Sequence, residues 1–96
     1  MNTLTKDYHA SLIEDLRDPE EAAAYLNAAL DEQDMATFLL ALRNVAEATG
    51  MRALATRAQL NRESLYRMLS EHGNPQLSSV LALLKALDVK LVVAAH

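Results

Sequence analysis

The 96-residue sequence contains no cysteine, which excludes disulfide bonds and thiolate metal ligands. Its three histidines, His9, His72 and His96, are too scattered along the chain to indicate a shared metal site. We therefore expect no structural metal and no cofactor.

The sequence also has no apolar run that approaches the roughly 20 residues of a membrane span. Its first residues, "MNTLTKDYHA", lack the basic start and the apolar stretch of a signal peptide. We expect a cytoplasmic protein without a membrane partner. The apolar content of 51% suits one domain over residues 1–96.

No group of residues has the composition of a catalytic site. Adjacent carboxylates on a helix point in different directions, and no histidine, serine or glycine-rich loop accompanies them. We expect neither enzymatic activity nor a small-molecule substrate. The adjacent acidic pairs are Glu14-Asp15, Glu20-Glu21 and Asp31-Glu32.

The formal net charge of −4 is unevenly distributed. Residues 1–50 carry three basic and ten acidic residues, a charge of −7, whereas residues 51–96 carry six basic and three acidic, a charge of +3. This asymmetry fits a second half that meets an anionic partner, while the first half avoids it or meets a basic one. A simple solvated acidic face explains the first half equally well.

The first half predicts three helices, near residues 8–16, 19–32 and 35–49. Asp18 is a candidate N-cap followed by Pro19, which suits the first helical position. Asp34 is the next candidate cap and Gly50 a stop. The third helix has one apolar stripe, which begins with Met35, Phe38, Leu39 and Leu42.

The stretch "LATRAQLNRESLYRMLSE" predicts two short helices joined by a very short turn, within residues 51–72. Asn61 is the expected N-cap of the second helix, Leu60 is expected to pack between the two helices, and the small Ala55 permits their close approach. This arrangement is typical of a helix-turn-helix, in which the second helix lies in the DNA major groove.

Beyond Asn74-Pro75, the sequence predicts one more helix and then a strand. We expect Leu77, Val80, Leu81, Leu84 and Leu87 on the buried face of that helix. Leu83 and Ala86 fall off this stripe and suggest a partner subunit. Residues 89–95 are rich in β-branched side chains and predict a lone strand that has to pair with something.

The sequence resembles the HigA-like addiction-module antidotes, the antitoxins of bacterial toxin–antitoxin systems. The resemblance covers almost the whole chain and is carried by "LRDPEEAAAYLNAAL", "FLLALRNVAEATGM", "NRESLYRMLSEHGNP" and "VLALLKALDVKL". It implies an all-α, repressor-like five-helix bundle with a helix-turn-helix, a homodimer, operator DNA as ligand and a RelE/ParE-type toxin as partner. To this we add a helix in an N-terminal extension, residues 1–17, and the short C-terminal β-strand. One departure from the family is Gln59, which stands where the turn usually has a left-handed glycine.

Four sets of residues are the candidate sites. Arginines read guanine and a glutamate accepts from cytosine, so Arg62, Glu63 and Arg67 are expected to read bases, although a surface salt bridge between Glu63 and Arg67 is the structural alternative. Hydroxyls, amides and arginines fix register on phosphates; the candidates are Arg52, Asn61, Ser64, Tyr66, Asn74 and Ser78. The acidic half suggests a toxin-binding surface of Tyr8, Leu12, Ile13 and Leu16. The expected dimer interface consists of Leu83, Ala86, Leu91 and Val93.

The expected function is that of an antitoxin that represses its own operon as a dimer on a palindromic operator, with recognition helices about 34 Å apart. A stand-alone transcriptional regulator without a toxin is the first alternative. A helical adaptor that uses its helix-turn-helix only for protein contacts is the second.

Overall fold

The computed structural model describes residues 3–70 and 72–95, with only the backbone for residues 3–5. Its helices are α1 (Thr3–Asp15), α2 (Pro19–Asp31), α3 (Met35–Thr49), α4 (Met51–Ala58), α5 (Arg62–Met68) and α6 (Leu77–Ala86). The prediction of an all-helical fold is confirmed. Met1 and Asn2 of the predicted N-terminal extension, Glu71 of the predicted helix-turn-helix segment, and His96 lie outside the described residues.

Two aspartates start α2 and α3, as predicted. The Asp18 carboxylate accepts a hydrogen bond from the Glu20 backbone N–H at 3.0 Å. The Asp34 carboxylate accepts from both the hydroxyl and the backbone N–H of Thr37, at 2.7 and 3.2 Å. The bond from the hydroxyl, and after it the bond from the backbone N–H, lower the pKa of Asp34 below its ordinary value, because both favour the charged carboxylate.

Helix α3 is the centre of the fold. It packs against α1, α2 and α4, and α4 in turn packs against α5 and α6. Its buried residues include Phe38, Leu42 and Val45, which face the apolar sides of the surrounding helices. One polar pair accompanies this core: the buried Asn44 side-chain amide donates to the Tyr25 hydroxyl at 2.8 Å.

The description as a five-helix bundle with an added N-terminal helix was wrong, because α1 packs in the same core as the other helices, so that the bundle itself has six helices in the described residues. Helix α1 also begins at Thr3, five residues earlier than predicted. Leu16, just after its end, is buried, and Leu12 and Ile13 pack partly against the core. The N-terminal segment is therefore a structural part of the domain.

The C-terminal strand was also wrong. Residues 89–95 form neither helix nor strand in the described chain, because a single extended segment finds no second strand in this all-helical molecule. Val89 packs partly against the core, whereas Val93 is 93% exposed. The segment is an irregular tail whose first residues, as far as Leu91, stay beside the core and whose remainder is exposed.

The buried face of α6 differs from the predicted one. Val80, Leu83, Leu84 and Leu87 face the core, and Leu83 is completely buried. Leu77, which is 63% exposed, and Leu81 face outward. Val80, Leu84 and Leu87 therefore face the core as predicted, whereas Leu83 is buried in place of Leu77 and Leu81.

The capping bond of Asp34 gives a testable pH dependence. Its folded pKa lies below the unfolded one, so the carboxylate stabilises the fold above the unfolded pKa, and this contribution is lost as pH falls through the folded pKa. We expect NMR titration to give a lowered pKa for Asp34, and Thr37→Val, which removes the hydroxyl donor, to raise it. Asp34→Asn keeps a capping side chain and should remove this acid-dependent contribution. An unchanged Asp34 titration in Thr37→Val would contradict the assignment.

Candidate nucleic-acid interface

The turn between α4 and α5 has the geometry that ends a helix and reverses the chain sharply. Gln59 is left-handed, with φ 58° and ψ 40°. The Leu60 N–H donates to the Ala55 carbonyl at 2.9 Å and the Gln59 N–H to the Thr56 carbonyl at 3.2 Å, the bond pattern of a Schellman motif. Leu60 packs partly against the core, as predicted.

Helix α5 begins at this turn and presents one polar face. The Asn61 side-chain oxygen accepts from the Ser64 backbone N–H at 2.7 Å, which confirms Asn61 as the N-cap. Leu65 is completely buried and Met68 is buried, so they hold α5 against the core. The side chains left exposed on the helix are those of Arg62, Glu63, Tyr66 and Arg67.

A groove of about 330 Å³ lies beside α5. Ser64 and Arg67 line it from α5, Asn74 from the following loop, and Ser79 from the first turns of α6. Leu60 and Met68 form its apolar part. The structure thus brings three of the predicted DNA-contacting residues, Ser64, Arg67 and Asn74, to one groove.

The other predicted phosphate contacts are not among the residues that line this groove. Arg52 is exposed in the first turn of α4, and Ser78 is exposed in the first turn of α6 beside Ser79. Arg57, by contrast, donates to the Ala86 carbonyl at the end of α6, with the two atoms 3.5 Å apart.

Sequence reasoning missed His72 and Ser70, which also line the groove. The available signal was Gly73: a Cβ atom there would collide with the Met68 carbonyl oxygen, so only glycine lets this loop return against the end of α5. Gly73 and the adjacent His72 belong to the loop that forms one wall of the groove.

The remaining predicted residues are not gathered at one place. Of the proposed toxin-binding set, Tyr8 is 73% exposed, Leu12 and Ile13 are half-buried, and Leu16 is in the core. Of the proposed dimer set, Leu91 and Val93 are exposed on the tail, Ala86 is half-buried and Leu83 has no exposed surface.

Within residues 3–70 and 72–95 no three histidine or acidic side chains are placed to hold a metal ion. None of the helices in the same part of the chain is both long and apolar enough to cross a bilayer.

A family model described as "Probable addiction module antidote protein" matches residues 6–95 of the chain. The chain belongs to this addiction module antidote family. It is also 37% identical over 93 residues to an uncharacterised protein of Haemophilus influenzae (strain Rd), a match that covers 97% of this chain and 94% of that protein. No solved structure matches the chain. An antidote acts against a toxin, so membership of this family implies a toxin as partner.

The left-handed Gln59 predicts a stabilising substitution. A non-glycine residue in this conformation costs about 1–2 kcal/mol, and glycine would relieve this strain while losing about 0.4–1 kcal/mol through greater unfolded-state freedom. We expect Gln59→Gly to raise the free energy of unfolding in urea by up to about 1 kcal/mol. Ala53→Gly, at an exposed position inside α4, is the control and should lower it by about 1 kcal/mol. A loss of stability in both variants would refute the strain.

Proposed function

We propose that this antidote is a HigA-like antitoxin that neutralises a RelE/ParE-type toxin and represses its own operon by binding operator DNA as a homodimer. The observation that carries the proposal is the α4–turn–α5 unit with its exposed polar face, in a chain of the antidote family. In helix-turn-helix proteins the first helix of the unit, here α4, packs closely against the recognition helix and holds it in place.

The base-reading role is supported by the way α5 is anchored. Because Leu65 and Met68 fix one side of the helix, Arg62 and Glu63 in its first turn and Arg67 one turn later stay on the solvent side. Arg62 or Arg67 can form two hydrogen bonds with a guanine, and Glu63 can accept one from a cytosine. No ion pair between Glu63 and Arg67 is found in the described chain, which favours the DNA role over the surface salt bridge.

The phosphate-binding role is supported by the groove. Ser64 and Asn74 line it together with Arg67, and Arg52, Tyr66 and Ser78 are further exposed polar side chains on α4, α5 and α6. Such groups position a protein on the sugar–phosphate backbone without reading sequence. Asn61 contributes through the cap that fixes the first turn of α5.

The homodimer is supported by the outer face of α6 and by the tail. Leu77 and Leu81 form an exposed apolar pair, and residues 90–95 belong to neither a helix nor a strand, so their backbone groups are available for pairing. Two copies related by a two-fold axis can pair their tails in antiparallel fashion and cover both faces of α6 at once. Ser79, near the start of α6, lines the groove beside α5, so a contact between the two copies of α6 would also fix the distance between the two recognition helices.

Substitution of the two arginines tests the DNA role. We expect Arg62→Ala and Arg67→Ala each to cost about 1–3 kcal/mol in operator binding and to relax base preference at one position per half-site. The measurement is a mobility shift on the DNA upstream of the gene, with single-base operator variants. Arg17→Ala, an exposed arginine between α1 and α2, is the matched control and should bind like the wild type.

A uniform loss across all operator variants, with only a smaller salt dependence, would make that arginine a phosphate contact. Failure of the wild-type chain to bind this DNA specifically would contradict the autorepressor and favour the adaptor.

Removal of residues 92–96 tests the dimer. This deletion leaves Leu91 in place and removes most of the exposed tail, so we expect a monomer at micromolar concentration and weaker operator binding. The measurement is sedimentation velocity. Leu81→Ser should weaken the dimer as well, whereas Leu40→Ser, at an exposed leucine of α3, should leave it intact. A truncated protein that still sediments as a dimer would show that the tail does not form the interface.

A further inference from the structure

We propose that the corner between α2 and α3 is the surface that binds a positively charged protein partner, the toxin. The inference rests on the proposed function and assigns the toxin to a place that the sequence did not indicate. The corner is defined by the exposed apolar residues Leu30 and Met35, by Phe38 between them, and by the acidic residues Asp31, Glu32 and Asp34.

The corner exposes large apolar side chains around a depression. Met35, which sequence periodicity placed in the core, is 58% exposed, and Leu30 is 38% exposed. Together with Phe38 and Ala29 they line a depression of about 290 Å³. Apolar side chains grouped around a concave surface are typical of a protein-binding site.

The apolar surface continues beyond this depression. Leu30 and Phe38 also line a second, smaller one, whose far side is formed by Val89 and Leu91 of the tail. Leu91 is exposed as well, so the apolar strip runs from Met35 at the start of α3 to the first part of the tail. A partner helix or loop can lie along this strip.

The edge of the corner is the tight connection between α2 and α3, and the charged residues around it are acidic. Gln33 is left-handed, with φ 55°, and its N–H donates to the Leu30 carbonyl at 3.0 Å. Asp31, Glu32 and Asp34 are all exposed around this turn. The ion pair found in the described part of the chain joins His9 to Glu47, so these three carboxylates have no cationic partner there. Lys90, which lines the second depression, is the basic residue at the opposite edge.

The charge selects among the possible occupants. DNA would be repelled by these carboxylates, and a second copy docked corner to corner would bring together two surfaces that each carry three carboxylates but one lysine. A cationic protein surface would compensate the carboxylates that binding removes from water. The toxin is the partner that membership of the antidote family implies.

The corner and the proposed DNA-binding groove share no lining residue. Ser79, near the start of α6, lines that groove, whereas Leu84, Val89 and Leu91 line the second depression toward and beyond the end of α6. The 10-residue α6 spans about 15 Å. Toxin and DNA can therefore occupy the two places without contacting the same residues.

The α1 surface offers less. Tyr8 is its exposed aromatic residue, but Leu16 is buried and Leu12 and Ile13 already pack partly against the core. A partner docked there would gain one large side chain, compared with three exposed ones at the corner and the start of the tail.

The test measures binding of the purified product of the toxin gene adjacent to this one, by calorimetry, to full-length variants. We expect Met35→Ser, and separately the double variant Asp31→Lys/Glu32→Lys, to weaken toxin binding by about tenfold or more. Lysines at the end of α2 complement the helix dipole, so the double variant should fold. Leu40→Ser on α3 is the matched apolar control, and Glu14→Lys/Asp15→Lys at the end of α1, with Tyr8→Ala, tests the α1 surface. The two control sets should retain wild-type affinity.

Each outcome bears on a different claim. Loss of toxin binding in the corner variants, with operator binding unchanged, would support the inference. Loss in the α1 variants with wild-type affinity in the corner variants would overturn it and place the toxin on α1. Loss of operator binding in the corner variants would overturn the separation of the two surfaces. A wild-type chain that binds operator but not the adjacent gene product would refute the antitoxin proposal itself.

Discussion

The left-handed backbone of Gln59 is the constraint on which the polar face of α5 depends. It ends α4 with two hydrogen bonds to the carbonyls of Ala55 and Thr56 and turns the chain within three residues toward the cap at Asn61. Only after this turn can Leu65 reach the core while Arg62 and Arg67 stay outside. The backbone strain at this one exposed residue therefore accompanies the turn that sets the orientation of the whole helix.

Local chemistry made the first part of the fold predictable. An aspartate or asparagine that caps a helix acts within three residues, so Asp18, Asp34 and Asn61 could be assigned from the sequence and are confirmed. The outward face of α6 could not be predicted from the sequence, because Leu77, Leu81 and Leu83 lie on overlapping apolar stripes. Only the position of α4 decides which of these residues are buried. The predicted strand failed for a related reason: β-branched composition describes a segment, whereas a strand requires a second one.

Small side chains explain why six helices fit in so short a chain and why some large apolar residues remain outside. Ala22, Ala29, Ala46 and Ala55 are buried at places where helices meet, so the backbones can approach closely. A core filled largely by alanine and leucine has little space for additional bulky residues. Met35, Leu77 and Leu81 consequently stay at the surface. Exposed apolar side chains of this size are typical of surfaces that bind protein partners.

The arrangement of these surfaces limits how a toxin at the proposed corner site and DNA at the proposed α5 interface can influence one another. The two places share no lining residue, so direct competition is not required, and coupling has to act through the proposed dimer or through the packing of the helices. Leu91 lies at the junction, because it lines the second depression and is followed by the exposed remainder of the tail. A toxin that covers Leu91 and binds the dimer more tightly than the monomer would stabilise the proposed dimer and tighten operator binding, whereas one that captures the remainder of the tail would separate the two copies. The sign of the coupling therefore depends on which side of Leu91 the partner extends.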